Sequence, residues 1–316
     1  MQLKGIDKKT LEKIEDTGYT LESLALSTFE ILVSQLKVDE EKAKKIIESA
    51  QNQLGIHPVT ALKFLELEAM RGKVTTSSNE LDGILGGGIW TQELTEVAGG
   101  FGSGKTQLCF QLCINVQLPK EEGGLGGNAF FIDTERTFSP RRIVEIASYR
   151  DLDVENVLKN IIVASAINTN HLFSIVDQLD EAIPENNIRL LVVDSFASHF
   201  RSEFIGKDRL VERQQKIMQI AEKLILLAVK HDIAIIVTNQ IIANVEEFLF
   251  GSPEEPALGF AWAHRPQQRI FMRKSRGSSR IARLFDSSRM PEREALFYVN
   301  ESGITDAPFP TDFHTE

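Results

Sequence analysis

A glycine-rich run, GGFGSGKT at residues 99–106, has the residue types and the spacing of a phosphate-binding loop. It fits the pattern G-x-x-x-x-G-K-[ST], in which glycines permit a backbone whose N–H groups converge on phosphate oxygens. Lys105 would supply a positive charge to the β- and γ-phosphates, and the Thr106 hydroxyl would bind Mg²⁺. The residues predicted to bind the nucleotide are Gly99, Gly100, Phe101, Gly102, Ser103, Gly104, Lys105 and Thr106.

The segments on either side of the loop support this interpretation. The preceding ELTEVA has strand-forming residues, and the following QLCFQLCINVQ is typical of an amphipathic helix. A glycine-rich turn without a ligand is the structural alternative. A position between a strand and a helix favours a nucleoside triphosphate site instead.

Three further strand candidates lead into polar residues, at the edge where an open α/β sheet presents its ligand site. LLVVD ends in Asp194, which is placed to hold the Mg²⁺ shell through water. FFID leads to Glu135, the candidate for the carboxylate that orients the attacking water, and IIVT leads to Gln240, whose amide can sense the γ-phosphate. Each carboxylate alone would more often be a helix cap. Their joint placement favours a catalytic set of Lys105, Glu135 and Gln240.

From Ser77 onward, apolar strand candidates alternate with helical segments. Near-continuous runs of Val, Ile, Leu and Phe indicate strands buried on both faces, hence an α/β fold with a mostly parallel sheet flanked by helices. The last three candidates follow one another closely, which predicts an antiparallel extension at one edge. The candidates are ELTEVA and residues 128–133, 160–166, 188–195, 233–240, 269–274, 281–286 and 295–300.

Residues 1–55 have the pattern of a separate all-α domain of four or five short helices. His57-Pro58 ends this pattern, because the residue before proline is pushed towards extended conformations. We therefore expect a helical domain over 1–55, a linker over 56–76 and an ATPase core over 77–316.

Composition limits the class of protein. With 316 residues and 42% hydrophobic residues, the chain can bury one large core and a small accessory domain. It has no apolar run near the roughly 18 residues of a membrane helix and no signal-peptide layout, so we expect a cytoplasmic protein without membrane contact. A net charge of −10 argues against coating nucleic acid by bulk electrostatics, so DNA contacts must come from local basic patches. Cys109 and Cys113 are expected to pack in the core.

Together, several motifs closely resemble the archaeal RadA and eukaryotic Rad51-type recombinases of the RecA superfamily. The resemblance runs from about residue 76 to about 306, and residues 1–55 resemble that family's helix-hairpin-helix domain. It implies a RecA-like core, DNA-dependent hydrolysis of ATP with Mg²⁺, and a ring or helical filament on single- and double-stranded DNA that promotes strand exchange. The motifs are GGFGSGKTQ, FIDTERTFSPRRI, LLVVDSFASHFRSEFIG, ERQQK, VTNQ, RIFMRKSRG and IARLFDSSRMPEREALF.

The resemblance also implies roles for single residues. Glu135 would be the catalytic carboxylate and Gln240 the γ-phosphate sensor. Arg142 would lie against the adenine, and Asp286 would begin a cap that a neighbouring protomer lays over ATP. Two loops, about 198–213 and 242–262, would hold DNA. The residues expected to contact it are Arg201, Lys207, Arg209, Arg213, Phe248 and Phe250.

Three features depart from the family pattern. The second loop carries four glutamates and no Lys or Arg over residues 243–260, Pro58 stands where a phenylalanine anchor for polymerisation is expected, and the hairpin glycines are reduced to Gly5. An alternative therefore stays open, in which the chain is a recombinase paralogue that binds ATP and acts as mediator or regulator of a true recombinase.

A basic patch over residues 265–283 contains no acidic residue. Its charges could face DNA or the nucleotide of a neighbouring protomer, and we favour a mixed role. Its members are Arg265, Arg269, Arg273, Lys274, Arg276, Arg280 and Arg283.

Overall fold

The computed structural model describes residues 3–19, 21–53, 58–242, 255–256 and 258–308. The chain divides into two compact units between Met70 and Arg71. The helices are α1 (Lys8–Asp16), α2 (Leu21–Leu26), α3 (Phe29–Leu36), α4 (Glu40–Gln53), α5 (Ala61–Ala69), α6 (Asn79–Leu85), α7 (Lys105–Asn115), α8 (Pro140–Tyr149), α9 (Val154–Lys159), α10 (Thr169–Glu185), α11 (Ala197–Glu203), α12 (Leu210–His231) and α13 (Phe260–Ala263). The strands are β1 (Lys73–Val74), β2 (Ile89–Trp90), β3 (Glu93–Gly99), β4 (Asn128–Asp133), β5 (Ile161–Ser165), β6 (Ile188–Asp194), β7 (Ala234–Asn239), β8 (Ile241–Ile242), β9 (Glu255–Pro256), β10 (Gln268–Lys274), β11 (Ser279–Ser287), β12 (Arg293–Asn300) and β13 (Gly303–Thr305).

In the first unit, α1 to α4 enclose a small apolar core of their own. Leu32 and Leu36 on α3, and Ile46 on α4, are buried because apolar residues at spacings of three and four share one helix face. Beyond α3 the chain turns at Lys37, whose φ is 52°, and the ammonium of Lys13 donates to the Leu36 carbonyl at 3.0 Å. Within the described part of residues 1–55 the chain forms the helices α1 to α4, and their helix-hairpin-helix character stays a prediction.

The segment expected to be a linker contains α5. This helix begins after Thr60, whose hydroxyl accepts from the Lys63 amide at 3.2 Å. Residues 71–76, which the sequence analysis assigned to the linker, belong to the second unit: β1 pairs with β2, and the Thr76 hydroxyl donates to Asp82 at 2.7 Å. The second compact unit therefore begins at Arg71, and the division into a helical domain, a linker and an ATPase core stays a prediction. His57 lies outside the described residues.

The second unit is built on a nine-stranded sheet of order β13-β12-β11-β10-β3-β7-β6-β4-β5. Neighbours from β10 to β5 are parallel, and β11, β12 and β13 extend the β10 edge antiparallel. The mostly parallel sheet, its antiparallel extension and all eight strand candidates are therefore confirmed. The sheet order places β3, which leads into the glycine-rich run, between β10 and β7 near the centre.

Helices cover both faces of this sheet. On one face α7 packs on Phe131 and Val192, and on the other α10 and α12 pack on Leu191 and Ile235. The expected amphipathic character of α7 is wrong, because every residue from Leu108 to Asn115 is buried, including Cys109 and Cys113. Burial raises the pKa of both thiols. None of the described helices is both long and apolar enough to cross a bilayer.

Candidate nucleotide-binding site

The glycine-rich run forms a tight loop between β3 and α7. Gly102 and Gly104 adopt the left-handed backbone, with φ of 73° and 103°, which glycine tolerates without strain. At Gly99 a Cβ would lie 2.2 Å from the Met272 carbonyl oxygen on β10, so only glycine fits there. The loop leads directly into the amino-terminal turn of α7, where free backbone N–H groups and the helix dipole favour a phosphate.

Lys105 is the cation of this loop. Its ammonium donates to the carbonyl oxygens of Gly99 at 2.8 Å and Gly100 at 3.0 Å. Burial lowers the pKa of Lys105, and the nearby carboxylates of Asp194 and Glu135 partly offset that effect. A desolvated ammonium held by neutral carbonyls is well placed to bind a phosphate.

Asp194 ends β6 beside the first turn of α7. The Thr106 hydroxyl donates to one of its oxygens at 2.7 Å, and the Thr238 hydroxyl from β7 donates to the other. Burial raises the pKa of Asp194, while the two threonine hydroxyls and Lys105 act in the opposite direction. A hydroxyl against a carboxylate is an oxygen donor set that fits Mg²⁺. Over the described ranges no group of three or more His, Cys, Asp or Glu could hold a metal ion.

Glu135 is positioned by the loop that follows β4. Asp133, the last residue of β4, accepts backbone N–H groups from Glu135 at 3.2 Å, Thr137 at 3.1 Å and Phe138 at 3.0 Å. Because one carboxylate organises the whole turn, Glu135 leaves the strand end in a defined direction. The side-chain amide of Gln240, just beyond β7, donates to Glu135 at 2.7 Å. The two residues predicted to act on the γ-phosphate are therefore in direct contact.

These residues surround one cavity of about 500 Å³. A volume of this size suits a small-molecule ligand. Every loop residue that the sequence predicted lines this cavity except Ser103, which is buried. Glu135, Asp194 and Gln240, also predicted from the sequence, line it as well. Within the described part of the chain, the lining residues that sequence reasoning missed are Gln107, Thr137, Ser195, Ile241, Arg280 and Val299.

Arg280, on β11, is the charged residue among those missed. Its guanidinium donates to the carbonyl oxygens of Ser279 at 2.8 Å and Gly277 at 3.1 Å, and its buried Nε has no partner. Burial lowers the pKa of Arg280. The sequence placed it in a basic patch, but the pairing of β11 with β10 and of β10 with β3 brings it beside the loop. It adds a second cation to the cavity.

Most of the other charges in that patch are neutralised. Arg269 is buried against Glu96 at 2.6 Å, Arg265 contacts Glu222 at 2.9 Å, and Arg283 pairs with Glu292. Arg273 lies 4.0 Å from Glu294. Carboxylates from other elements therefore neutralise much of this patch, and its mixed role stays a prediction.

Two residues that the resemblance assigned to the nucleotide lie outside the cavity lining. Arg142 donates to Gln107 at 2.8 Å and to the Glu301 carbonyl at 3.0 Å, so it touches a lining residue. Its contact with adenine stays a prediction. Asp286 lies on β11 opposite Arg269, and its part in a cap over a neighbouring protomer's ATP also stays a prediction.

The first predicted DNA loop runs through α11, a 3₁₀ turn at Lys207–Arg209 and the start of α12. Arg209 donates to the Glu203 carbonyl at 2.8 Å and to Glu212 at 3.1 Å, whereas Arg201 donates to Gln240 at 2.9 Å. Arg213 has a buried Nε without a partner. The side chain of Lys207 and all of Phe248 and Phe250 lie outside the described residues. DNA contact by this set stays a prediction.

A larger groove of about 750 Å³ lies in the first unit, between the chain start and α4. Its charged residues are Lys4, Lys45 and Glu48. It lacks the glycine loop and the buried carboxylates that phosphate chemistry needs, so we assign the candidate chemistry to the cavity over the loop.

The parallel sheet with a phosphate-binding loop at the end of a central strand defines a RecA-like α/β core. The Rad51 family model matches residues 70–307. The chain is 44% identical over 307 residues to the DNA repair and recombination protein RadA of Metallosphaera sedula, covering 96% of this chain and 94% of the relative. The chain therefore belongs to the Rad51 family.

Proposed function

We propose that this protein is an ATP- and Mg²⁺-dependent DNA recombinase that assembles on single-stranded DNA and promotes homologous pairing and strand exchange. The observation that carries the proposal is the single cavity in which Lys105, Thr106 and Asp194 meet the Glu135–Gln240 pair. These groups are the ones that binding and hydrolysis of a nucleoside triphosphate require. The relative named as a DNA repair and recombination protein supports the choice of pathway.

Each group has a role in the hydrolysis of ATP. The loop N–H groups and Lys105 would bind the phosphates, and Thr106 and Asp194 would hold Mg²⁺, Asp194 through water. Mg²⁺ supplies neutralisation of phosphate charge when it is bound. Glu135 orients the attacking water, and Gln240 reports the γ-phosphate to the chain that follows β7.

DNA binding and self-association into a ring or filament are the further parts of this proposal. Arg201, Lys207, Arg209 and Arg213 lie between β6 and the body of α12 and supply the phosphate contacts. Strand exchange between homologous DNAs, with ATP or a slowly hydrolysed analogue, tests the proposal directly, and Lys105→Ala is the matched control. Joint molecules must form with the wild-type protein. Their absence despite intact ATP binding would exclude the recombinase function.

The second candidate is a paralogue that regulates a true recombinase. It is favoured by the four glutamates of the second loop, by Pro58 and by the carboxylates that neutralise much of the 265–283 patch. Light scattering and electron microscopy with single-stranded DNA, with and without ATP, separate the two. A filament that needs ATP and DNA supports the recombinase, whereas a monomer or dimer under the same conditions supports the regulator.

A further inference from the structure

Three side chains connect the first predicted DNA loop to the catalytic carboxylate. Arg201, on α11, donates through Nη1 to Oε1 of Gln240 at 2.9 Å. Gln240 in turn donates through Nε2 to Oε1 of Glu135 at 2.7 Å. Gln240 and Glu135 line the cavity, whereas the Arg201 side chain is exposed. The exposed guanidinium of Arg201 is therefore linked, through the side-chain amide of Gln240, to the carboxylate of Glu135.

The guanidinium determines which way the amide faces. A glutamine side chain has an acceptor oxygen and a donor nitrogen on one rotating group. Because Arg201 can only donate, its bond to the oxygen directs the amide nitrogen towards Glu135. One acceptor site of Glu135 Oε1 is thereby taken by the amide donor, which fixes the direction of the carboxylate.

Arg201 is also open to competition from an anion. Within the described part of the chain, its guanidinium bonds to the neutral amide of Gln240, and no carboxylate pairs with it. Arg209 in the same segment differs, since it pairs with Glu212 at 3.1 Å. A guanidinium binds a phosphate diester through hydrogen bonds in which both partners are charged and which are often paired, whereas its bond to the Gln240 amide has only one charged partner. A DNA phosphate that reaches α11 would therefore take Arg201 from Gln240.

We propose that Arg201 is a positioning residue that restrains ATP hydrolysis until DNA arrives. Without DNA it holds Gln240 against Glu135. When a DNA phosphate captures Arg201, Gln240 is free to turn, and the Glu135 carboxylate is released to orient towards the attacking water. The inference rests on the proposed function, because it concerns how DNA stimulates that same site.

The test compares ATP turnover with and without single-stranded DNA in the wild-type protein, Arg201→Gln, Arg201→Lys and Lys223→Gln. We expect Arg201→Gln to raise the DNA-free rate about tenfold, the factor expected from losing one hydrogen bond to a charged group, and so to lower the stimulation by DNA. ATP affinity without DNA should not change. Arg201→Lys keeps a charged donor and should restore most of the restraint. Lys223→Gln removes the same charge from an exposed pair with Asp177 and should leave the DNA-free rate unchanged.

The outcomes separate this inference from the function on which it rests. If DNA fails to stimulate ATP turnover by the wild-type protein, the proposed DNA-dependent ATPase is excluded. The proposed restraint by Arg201 is then excluded as well. If DNA stimulates the wild type but Arg201→Gln has an unchanged or lower DNA-free rate, the restraint is overturned and the proposed function stands. Arg201→Ala provides a second variant at the same exposed position, and it must also raise the DNA-free rate.

Discussion

Arg269 donates from Nε to Oε2 of Glu96 at 2.6 Å, and both side chains of this ion pair are buried. The other oxygen of Glu96 accepts from Asn239 at 2.6 Å and from the Trp262 indole at 2.7 Å. Asn239 ends β7 directly before Gln240, and Trp262 lies on α13. One buried carboxylate therefore ties together the two ends of the chain segment that resembles the second DNA loop.

Replacing Glu96 with Gln should destabilise the second unit severely. The variant keeps the shape of the side chain but leaves the Arg269 charge buried without its counterion, which costs about 3–5 kcal/mol. Thermal or urea unfolding checks this, with Glu155→Gln as the control, since Glu155 belongs to an exposed pair whose loss costs roughly 0.3–0.5 kcal/mol. Equal losses of unfolding free energy in the two variants would show that the buried pair contributes no more to stability than a surface pair.

Substitution of Lys105 should impair ATP binding, whereas substitution of Glu135 should impair only ATP hydrolysis. Lys105→Ala removes the half-buried cation of the loop and should abolish tight ATP binding. Glu135→Gln keeps the shape and the contact with Gln240 but cannot act as a base, so it should bind ATP normally and hydrolyse it about 10²–10⁴-fold more slowly. Titration with a fluorescent ATP analogue measures binding, and phosphate release measures turnover. Wild-type turnover in Lys105→Ala, or lost binding in Glu135→Gln, would contradict the assigned roles.

As the pH falls, the effect of Mg²⁺ on ATP affinity should be lost at a higher pH than it would be with an aspartate of ordinary pKa. Burial raises the pKa of Asp194 above its ordinary value of 3.8. Only the charged carboxylate supports a metal shell, so protonation as the pH falls through this raised pKa removes the benefit of Mg²⁺. Titrating ATP affinity against Mg²⁺ at decreasing pH measures the effect. Asp194→Asn should show a small effect of Mg²⁺ on ATP affinity that does not vary with pH in this range. If the variant keeps the pH profile of the wild type, Asp194 does not have this role.

Much of the fold was readable in the sequence because the signals are local. The glycine run, the apolar strand segments and the polar residues that follow them lie within a few positions of one another, and parallel strands bring such ends to one edge. The contacts that were missed depend on strand order. Arg280 reaches the loop only because β10 pairs with β3, and Arg201 reaches Gln240 only through the placement of α11. A buried partner for Glu96 could have been predicted from the sequence, since a carboxylate in a strand buried on both faces needs one.

Arg280 should contribute to ATP affinity through the charge that it adds to the cavity. Arg280→Met keeps much of the side-chain volume but removes the guanidinium, and we expect the Kd for ATP to rise about tenfold, the value of one charged hydrogen bond. Arg276→Met is the control, because Arg276 lies in the same hairpin, is exposed and does not line the cavity. If both variants bind ATP as tightly as the wild type, Arg280 is structural and does not contact the nucleotide.

Asp180 should stabilise the second unit in a pH-dependent way. It joins α10 to α12, accepting from His231 at 2.8 Å and from Lys230 at 2.7 Å, and the hydrogen bond from His231, followed by that from Lys230, lowers the pKa of Asp180 to about 2. A lowered pKa stabilises the folded state above the unfolded value of about 3.9. The side chain is about half exposed, so solvent screening reduces the contribution to about 1 kcal/mol. Asp180→Asn should therefore lower the melting temperature at neutral pH, and the difference from the wild type should shrink as the pH falls from about 4 towards 2. Calorimetry at a series of pH values measures this difference, and one that stays constant through that interval would show that the carboxylate charge is not its source.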